Sequence, residues 1–180
     1  MQALQEFAAS FPDAAKDIRL NLQSVLGDST LAEAQRFGVA LACAIAVRDR
    51  ELRQAIERDG VAWIDEARSD DAQAAAALMA MNNVYYRFRH MIGKPAYASM
   101  PARLRMNRLG TPRTTKLEFE LMCLAVSAIA GCELCVRSHE ETLQKHGASE
   151  AQVHDAVRIA AVIQAASVAR ELSNTESAEI

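Results

Sequence analysis

Two cysteines and a histidine lie close together in the second half of the chain, in the segment GCELCVRSHE (residues 131–140). If this segment is helical, Cys132, Cys135 and His139 share one face, because residues three, four and seven apart lie on the same side of a helix. Gly131 marks a break before Cys132, so the cysteines should occupy a first helical turn, where unpaired N–H groups stabilise a thiolate. The pattern could bind a metal, pack as two buried thiols, or act as a dithiol/disulfide redox centre.

Of these three uses, the residues favour the redox centre. A structural zinc site usually takes four nitrogen or sulfur ligands, often from two cysteine pairs, whereas the remaining cysteines, Cys43 and Cys123, are single residues in Ala-rich segments. We expect those two to be buried as small apolar side chains. A non-enzymatic redox sensor and a zinc-binding module are the alternatives to a redox enzyme. We predict no metal site, and no G-x-G-x-x-G motif indicates a bound nucleotide.

A carboxylate, Glu120, interrupts the apolar segment LEFELMCLAV (residues 117–126). If the helices on either side of Gly131 fold back on each other, this carboxylate can reach His139. A carboxylate beside a histidine orients the ring and helps it to transfer protons. Glu118, two residues earlier, is predicted to be a solvated helix position. Glu120 and His139 are therefore predicted to form a pair.

The composition predicts an all-α fold in a single domain of 180 residues. The chain is 51% hydrophobic but only 5% aromatic, and its apolar residues recur at helical spacing almost throughout. A net charge of -3 without a long basic run argues against nucleic acid and anionic membranes as partners. The N-terminus lacks the pattern of a secretory signal and no apolar segment is long enough to span a membrane, so we expect a cytoplasmic protein.

Glycines and prolines between residues 93 and 115 predict a connector with short helical turns at most. The connector separates two similar helical halves, about 1–92 and 116–180, since ALACAIAVRDRELRQAIERDG (40–60) resembles LAVSAIAGCELCVRSHEETLQKHG (124–147). Aligning the Ala-Ile-Ala segments places Arg48 and Glu51 opposite the two cysteines. Residue types predict helix starts at Pro12, Thr30 (a capping box with Glu33), Asp49, Ser69, Lys116, Cys132 and Ser149 (a capping box with Gln152).

The pattern Glu-x11-Cys-x2-Cys-x3-His, formed here by Glu120, Cys132, Cys135 and His139, resembles the signature of the AhpD (alkyl hydroperoxidase D) family. The resemblance covers nearly the whole chain, because several further segments are similar to those of that family: FPDAAKDIRLNLQSVL (11–26), AMNNVYYRFRH (80–90), LRMN (104–107) and FELMCLAVSAIAGCELC (119–135). It implies an AhpD-like all-α fold built from two similar halves, with a homotrimer as the usual assembly.

The resemblance also implies a function and a role for each residue. The protein would be a lipoyl-dependent alkyl hydroperoxide reductase that also reduces the disulfide of an AhpC-type peroxiredoxin. Cys135 would become the sulfenic acid, while Cys132, nearer the surface, would be the proton donor and resolving thiol that closes a Cys132–Cys135 disulfide. His139 and Glu120 would form the proton relay. No cofactor would be bound, because electrons would come from dihydrolipoamide, supplied by a lipoyl-bearing acyltransferase and lipoamide dehydrogenase.

One residue departs from part of this family. Some members have a second histidine between the cysteines, where this chain has Leu134, so acid–base help from within the C-x-x-C motif is not expected here. A carboxymuconolactone-decarboxylase-like enzyme is the nearest alternative within the same superfamily. The C-x-x-C motif together with His139 and Glu120 argues against it.

Overall fold

The computed structural model of the protein describes the backbone of residues 1–176 and the side chains of residues 1–173. Residues 177–180, which the sequence assigns to the second half, lie outside the described residues. Over the described backbone the chain is all α-helical, with no β-strand. The α-helices are α1 (Gln2–Ala9), α2 (Lys16–Gly27), α3 (Glu33–Ala46), α4 (Arg50–Asp59), α5 (Glu66–Ile92), α6 (Pro95–Ser99), α7 (Lys116–Ile129), α8 (Glu133–Lys145) and α9 (Glu150–Glu176).

The helices α3 and α7 form the centre of the core. Both are largely apolar and are buried on every side over a run of consecutive residues, 37–44 in α3 and 119–127 in α7. A helix that is apolar all round is stable in water only when other helices surround it. The long helices α5 and α9 pack against both central helices. None of the described helices combines the length and apolarity needed to cross a membrane.

The order of three helices is repeated along the chain. Helices α3, α4 and α5 have 14, 10 and 27 residues, and α7, α8 and α9 have 14, 13 and 27. The burial pattern of α5 recurs at the matching positions of α9. The matched buried pairs are Asp71 and Asp155, Ala72 and Ala156, Ala75 and Ile159, Ala76 and Ala160, Met79 and Ile163, and Asn82 and Ala166.

The two matched aspartates anchor the segments that precede the central helices. Asp71 accepts hydrogen bonds from the backbone N–H and the hydroxyl of Thr114, both at 2.7 Å, just before α7. Asp155 accepts the same two bonds from Thr30, at 2.6 and 2.9 Å, just before α3. Burial opposes ionisation of Asp155, but the hydrogen bonds from Thr30 and its other partners outweigh it and hold the pKa of this carboxyl well below its usual range.

The alignment of the two Ala-Ile-Ala segments is wrong by one residue. Helix α3 ends at Ala46, the last residue of its segment, whereas α7 ends at Ile129, the middle residue of its own. The turn residues that follow are Arg48 and Gly131, and both adopt positive φ, 63° and 65°. Matching helix ends instead of sequence identity therefore places Asp49 opposite Cys132 and Leu52 opposite Cys135, in place of Arg48 and Glu51.

Several predicted helix starts are confirmed. The Asp49 carboxylate accepts a hydrogen bond from the N–H of Leu52 at 2.9 Å and caps α4. The capping box before α9 is present, because Ser149 and Gln152 bond each other's backbone N–H. The connector between residues 93 and 115 contains α6 and a 3₁₀ turn at Asn107–Gly110.

Other predicted starts are wrong. Helix α5 begins four residues earlier than expected, because Asp65 and not Ser69 accepts the bond that caps it. The predicted capping box of Thr30 and Glu33 does not form, because Thr30 is bonded to Asp155 in α9. Helix α1 was not predicted, and α2 begins at Lys16 after a 3₁₀ turn, later than Pro12 suggests.

Candidate active site

The two cysteines of the C-x-x-C motif lie at the start of α8. Gly131, with φ 65°, turns the chain out of α7, so that Cys132 is the N-cap residue of α8 and Cys135 lies in its first turn. The two sulfurs are joined by a disulfide, with the Cα atoms 5.3 Å apart. This separation is ordinary for a disulfide, so the helix start holds both cysteines in a geometry that permits the bond.

The matching helix start in the first half of the chain indicates how a negative charge is stabilised at the position of Cys132. At the matching start of α4, the Asp49 carboxylate accepts the N–H of the residue three positions on. Cys132 is the residue that replaces this capping anion in α8. When the disulfide is reduced, a thiolate at a helix N-terminus is stabilised by the same unpaired N–H groups and by the positive end of the helix dipole.

Accessibility does not follow the prediction made for the two sulfurs. Cys132 was expected to lie nearer the surface, but it is fully buried, whereas Cys135 retains 6% of its surface. The reason is that the N-cap residue is covered by the end of α7, where its N–H donates to the carbonyl oxygen of Ser127 at 3.2 Å. Cys135, one turn further along α8, faces an open cavity.

Glu120 and His139 are in direct contact, as the sequence predicts. The Glu120 carboxylate on α7 and His139 Nδ1 on α8 are 2.6 Å apart, and Lys116 Nζ contacts the other carboxylate oxygen at 2.7 Å. Glu120 is only 4% exposed. Burial opposes its ionisation, but the hydrogen bonds from His139 and Lys116 outweigh burial and lower the pKa of the Glu120 carboxyl. Its charge therefore persists in the interior beside the imidazole.

His139 also lines the cavity at Cys135, and its second ring nitrogen contacts α5. His139 Nε2 lies 3.2 Å from the sulfur of Met79 on α5. The cavity has a volume of about 380 Å³, and its lining is largely apolar: Met79, Asn82, Tyr86, Met106, Leu109, Leu134, Cys135, Ser138 and His139. It is large enough for a small organic molecule, and its lining includes one cysteine and one histidine.

Several lining residues were not identified from the sequence. Met79, Asn82 and Tyr86 come from α5, where their spacing of three and four residues places them on the face that packs against α8. This spacing is visible in the sequence, but α5 carries apolar residues on more than one face, so the pattern alone does not select this one. Met106 and Leu109 come from the connector, whose path depends on the Asp71 anchor.

The matching positions of the first half lack every reactive group of this site. Glu120 corresponds to Phe37, Cys135 to Leu52, and His139 to Ile56 when the helices are matched by their ends. The three replacements are buried apolar side chains of the core. The same scaffold therefore packs as ordinary core in one half and carries the polar constellation in the other.

The remaining cysteines are buried in the core, as predicted. Cys43 and Cys123 are fully covered. Burial raises the pKa of the Cys43 thiol, and burial, together with the neighbouring Glu120 carboxylate, raises the pKa of Cys123 well above its usual range. Within the described residues, no three side chains of the types His, Cys, Asp and Glu are arranged to hold a metal ion.

Glu118 is not the solvated residue that the sequence predicts. Its carboxylate lies 3.3 Å from a guanidinium nitrogen of Arg68 on α5, and its side chain is only 14% exposed. Glu118 and Glu120 are therefore both paired carboxylates on α7, directed at different neighbours.

Comparison with known proteins agrees with the resemblance seen in the residues. Residues 95–174 match the model of the carboxymuconolactone decarboxylase family. An alkyl hydroperoxide reductase AhpD of Anaeromyxobacter dehalogenans is 58% identical over 178 residues, covering 99% of this chain and 96% of the relative. Proteins of the same name from Methylocella silvestris and Brucella abortus are 44% and 43% identical, covering 94% and 97% of this chain and 95% and 99% of the relatives.

Proposed function

The chain belongs to the AhpD-like branch of the carboxymuconolactone decarboxylase superfamily, and on this premise we propose that it reduces alkyl hydroperoxides at the Cys132/Cys135 pair. An antioxidant function of the AhpD type follows from that membership. The observation that carries the finer proposal is the arrangement of the site. Two cysteines close enough to bridge lie at a helix start, one of them faces a cavity, and the same cavity contains a histidine held by a buried carboxylate.

In the oxidative step, the Cys135 thiolate attacks the terminal oxygen of the hydroperoxide. A sulfur–oxygen bond forms, the oxygen–oxygen bond breaks, and the alkoxide that leaves takes up a proton to become an alcohol. The sulfur is oxidised to a sulfenic acid as the peroxide is reduced. Cys135 is assigned this role because it is the cysteine that faces the cavity, and His139 with Glu120 is assigned the transfer of protons to and from the reacting atoms.

The second step closes the disulfide. The Cys132 sulfur attacks the sulfenic sulfur of Cys135 and a water molecule leaves, which gives the Cys132–Cys135 bridge. The bridge then exchanges with an external dithiol, and we propose dihydrolipoamide, carried by a lipoyl-bearing acyltransferase and regenerated by lipoamide dehydrogenase. Because Cys132 is buried, the incoming thiolate should attack Cys135, the sulfur within reach of the cavity.

We also propose partners, an assembly and a compartment for this protein. The family resemblance supports an AhpC-type peroxiredoxin as a disulfide substrate, a homotrimer as the assembly, and the cytoplasm as the compartment. A reducing compartment fits a disulfide that is broken and re-formed in each cycle. The electrons need no bound cofactor in this scheme, because the reductant is itself a dithiol.

The alternatives differ in what they require of the cysteines. A zinc-binding module requires ligands beyond the pair, and a non-enzymatic sensor requires no turnover. The C-x-x-C motif together with His139 and Glu120 argues against a carboxymuconolactone-decarboxylase-like enzyme. The near full-length relatives named as hydroperoxide reductases support the thiol-based reaction over that last alternative.

The test is peroxide turnover with a lipoamide-regenerating system. Wild-type protein is given cumene hydroperoxide, dihydrolipoamide, lipoamide dehydrogenase and NADH, and the oxidation of NADH is followed. Turnover is expected for the wild type and not for Cys135→Ser, whereas Cys132→Ser should form a sulfenic acid without a bridge. Bound zinc with no turnover in the wild type, or full activity of Cys135→Ser, would contradict the proposal.

A further inference from the structure

The cavity at Cys135 contains one buried amide that has no partner. Asn82 is 5% exposed, and its buried carbonyl oxygen accepts no hydrogen bond. Among the described residues no donor or acceptor is bonded to any atom of this side chain. An unpaired polar group in an apolar environment destabilises the folded state, and a ligand that enters the cavity can supply the missing partner.

The matching position in the second half of the chain supports a functional reason for this amide. In the repeated burial pattern, Asn82 on α5 matches Ala166 on α9, which is equally buried. The scaffold therefore accepts a small apolar residue at this position. Met79, one turn before Asn82, contacts His139 and likewise has an apolar match, Ile163. The polar residue lies on α5, the long helix that packs against α8, where the bridged cysteines are.

We propose that Asn82 binds the hydroperoxide group while the Cys135 thiolate attacks it, an inference that rests on the function proposed above. A hydroperoxide has one O–H donor, on the terminal oxygen, and an inner oxygen that becomes negatively charged as the bond breaks. An amide offers one acceptor and a pair of donors side by side. The Asn82 amide turns about its last side-chain bond to face the cavity, so that its carbonyl oxygen accepts the terminal O–H and its N–H donates to the inner oxygen.

The atoms balance in this step. The thiolate supplies the electron pair of the new sulfur–oxygen bond, the terminal oxygen keeps its hydrogen and becomes the sulfenic OH, and the inner oxygen leaves as an alkoxide. A proton transferred through the His139 side of the cavity converts the alkoxide to an alcohol. The N–H of Asn82 stabilises the charge on that oxygen before the proton arrives, as preorganised donors do at other developing oxyanions.

The amide fits a peroxide better than the reducing dithiol. The reacting atoms of a dithiol are sulfurs, which are weak hydrogen-bond partners, and their attack on the bridge develops no charge on oxygen. Replacing Asn82 should therefore slow the oxidative half of the cycle and leave the rate of the reductive half nearly unchanged. This asymmetry separates a peroxide-binding residue from one that only maintains the shape of the cavity.

The experiment measures the two half-reactions separately by stopped-flow in two variants. Asn82→Leu keeps the branched shape and the number of side-chain heavy atoms and removes the amide, and Asn82→Ala introduces the residue of the matching position. The reduced protein is mixed with cumene hydroperoxide, and the disulfide form with dihydrolipoamide. We expect the first rate to fall by about 10- to 100-fold, the factor for one lost hydrogen bond to a charged oxygen. The rate with dihydrolipoamide should stay within about twofold of the wild-type rate, a change too small to indicate a lost hydrogen bond. The thermal midpoint of Asn82→Leu should be equal to that of the wild type or higher.

Asn83→Leu is the matched control. Asn83 is the next residue of α5 and equally buried, but it lines a different cavity and accepts a hydrogen bond from Ser127 at 3.0 Å. This control should lose thermal stability and keep its rate with peroxide. An unchanged peroxide rate in both Asn82 variants, or equal slowing of the two half-reactions, would overturn the inference. A wild type that does not react with peroxide would instead refute the proposed function, and this inference with it.

Discussion

Replacing Glu120 by glutamine tests the carboxylate–histidine pair. Glu120 accepts hydrogen bonds from His139 at 2.6 Å and from Lys116 at 2.7 Å, and glutamine has only one oxygen to offer. One of the two bonds must therefore be lost. If the glutamine NH₂ faces His139, Nδ1 can no longer donate to residue 120, and the tautomer of the ring changes. We expect the rate of the reduced protein with cumene hydroperoxide to fall by about 10²-fold, at the lower end of general acid–base contributions.

The cost to stability follows from the same contacts. A buried hydrogen bond that involves a charge contributes about 1.5–3 kcal/mol. Lys116 is 30% exposed and also donates to the carbonyl oxygen of Leu109 at 2.7 Å, so its charge keeps another acceptor. The free energy of unfolding should therefore fall by about 2 kcal/mol, less than for an isolated buried charge. Urea denaturation of both proteins at pH 7 measures it.

The difference in unfolding free energy between the wild type and Glu120→Gln should depend on pH. The pKa of the Glu120 carboxyl is lower in the folded chain than its ordinary value, so the carboxylate stabilises the fold at neutral pH. That stabilisation declines as the pH falls below about 4.3 and through the lower folded-state value. The difference in unfolding free energy between wild type and Glu120→Gln should therefore be largest near neutrality and narrow in acid.

The matched control is Glu118→Gln. Glu118 lies on the same helix and is also paired, but with Arg68 and not with a histidine. Both variants should lose stability, and only Glu120→Gln should lose peroxide reactivity. Equal rates for the two variants would refute the reasoning, because the effect of Glu120 would then be one of general stability and not of the histidine.

Three further outcomes are expected. Asp155→Asn removes a buried anion that several donors share and should lower the unfolding free energy by about 2 kcal/mol at pH 7. Because the pKa of Asp155 is depressed, the wild type should lose the same stabilisation progressively as the pH falls below about 3.9 and through the lower folded-state value, measured by urea denaturation across pH. Met79→Leu keeps the volume, so stability should change by less than about 1.5 kcal/mol, while the rate of the reduced protein with cumene hydroperoxide should fall because His139 Nε2 loses its contact with sulfur. Cys43 and Cys123 should resist iodoacetamide in the folded protein and react in urea, read by mass spectrometry, because burial keeps both thiols protonated and covered.

The contact between Glu120 and His139 could be predicted because it depends on short spacings in the sequence and on one turn, at Gly131, that folds α8 back against α7. A carboxylate inside an apolar run, a glycine break and a histidine one turn after a cysteine are all visible in the sequence. The same patterns could not give the accessibility of the two sulfurs. Cys132 is buried because the end of α7 covers it, and coverage by a neighbouring helix leaves no trace in the spacing of residues.

Caps that serve only their own helix were predicted better than caps that compete with distant partners. Asp49 and the Ser149–Gln152 box satisfy N–H groups of the helix they begin, and both are present. Thr30 has the right type for an N-cap, but it is bonded to Asp155, more than a hundred residues away. Local chemistry therefore decides a cap only where no long-range acceptor is available.

By itself, the sequence determined the helical class, the connector, and the residues of the bridged pair with its histidine and carboxylate, because these depend on periodicity, on glycine and proline, and on short spacings. Only the tertiary structure decided which sulfur faces the cavity, which side chains of α5 line it, and how the two halves match. It also decided that Asn82 is buried without a partner. Those properties arise where helices from different parts of the chain pack together, and packing across such distances is not encoded in any one segment.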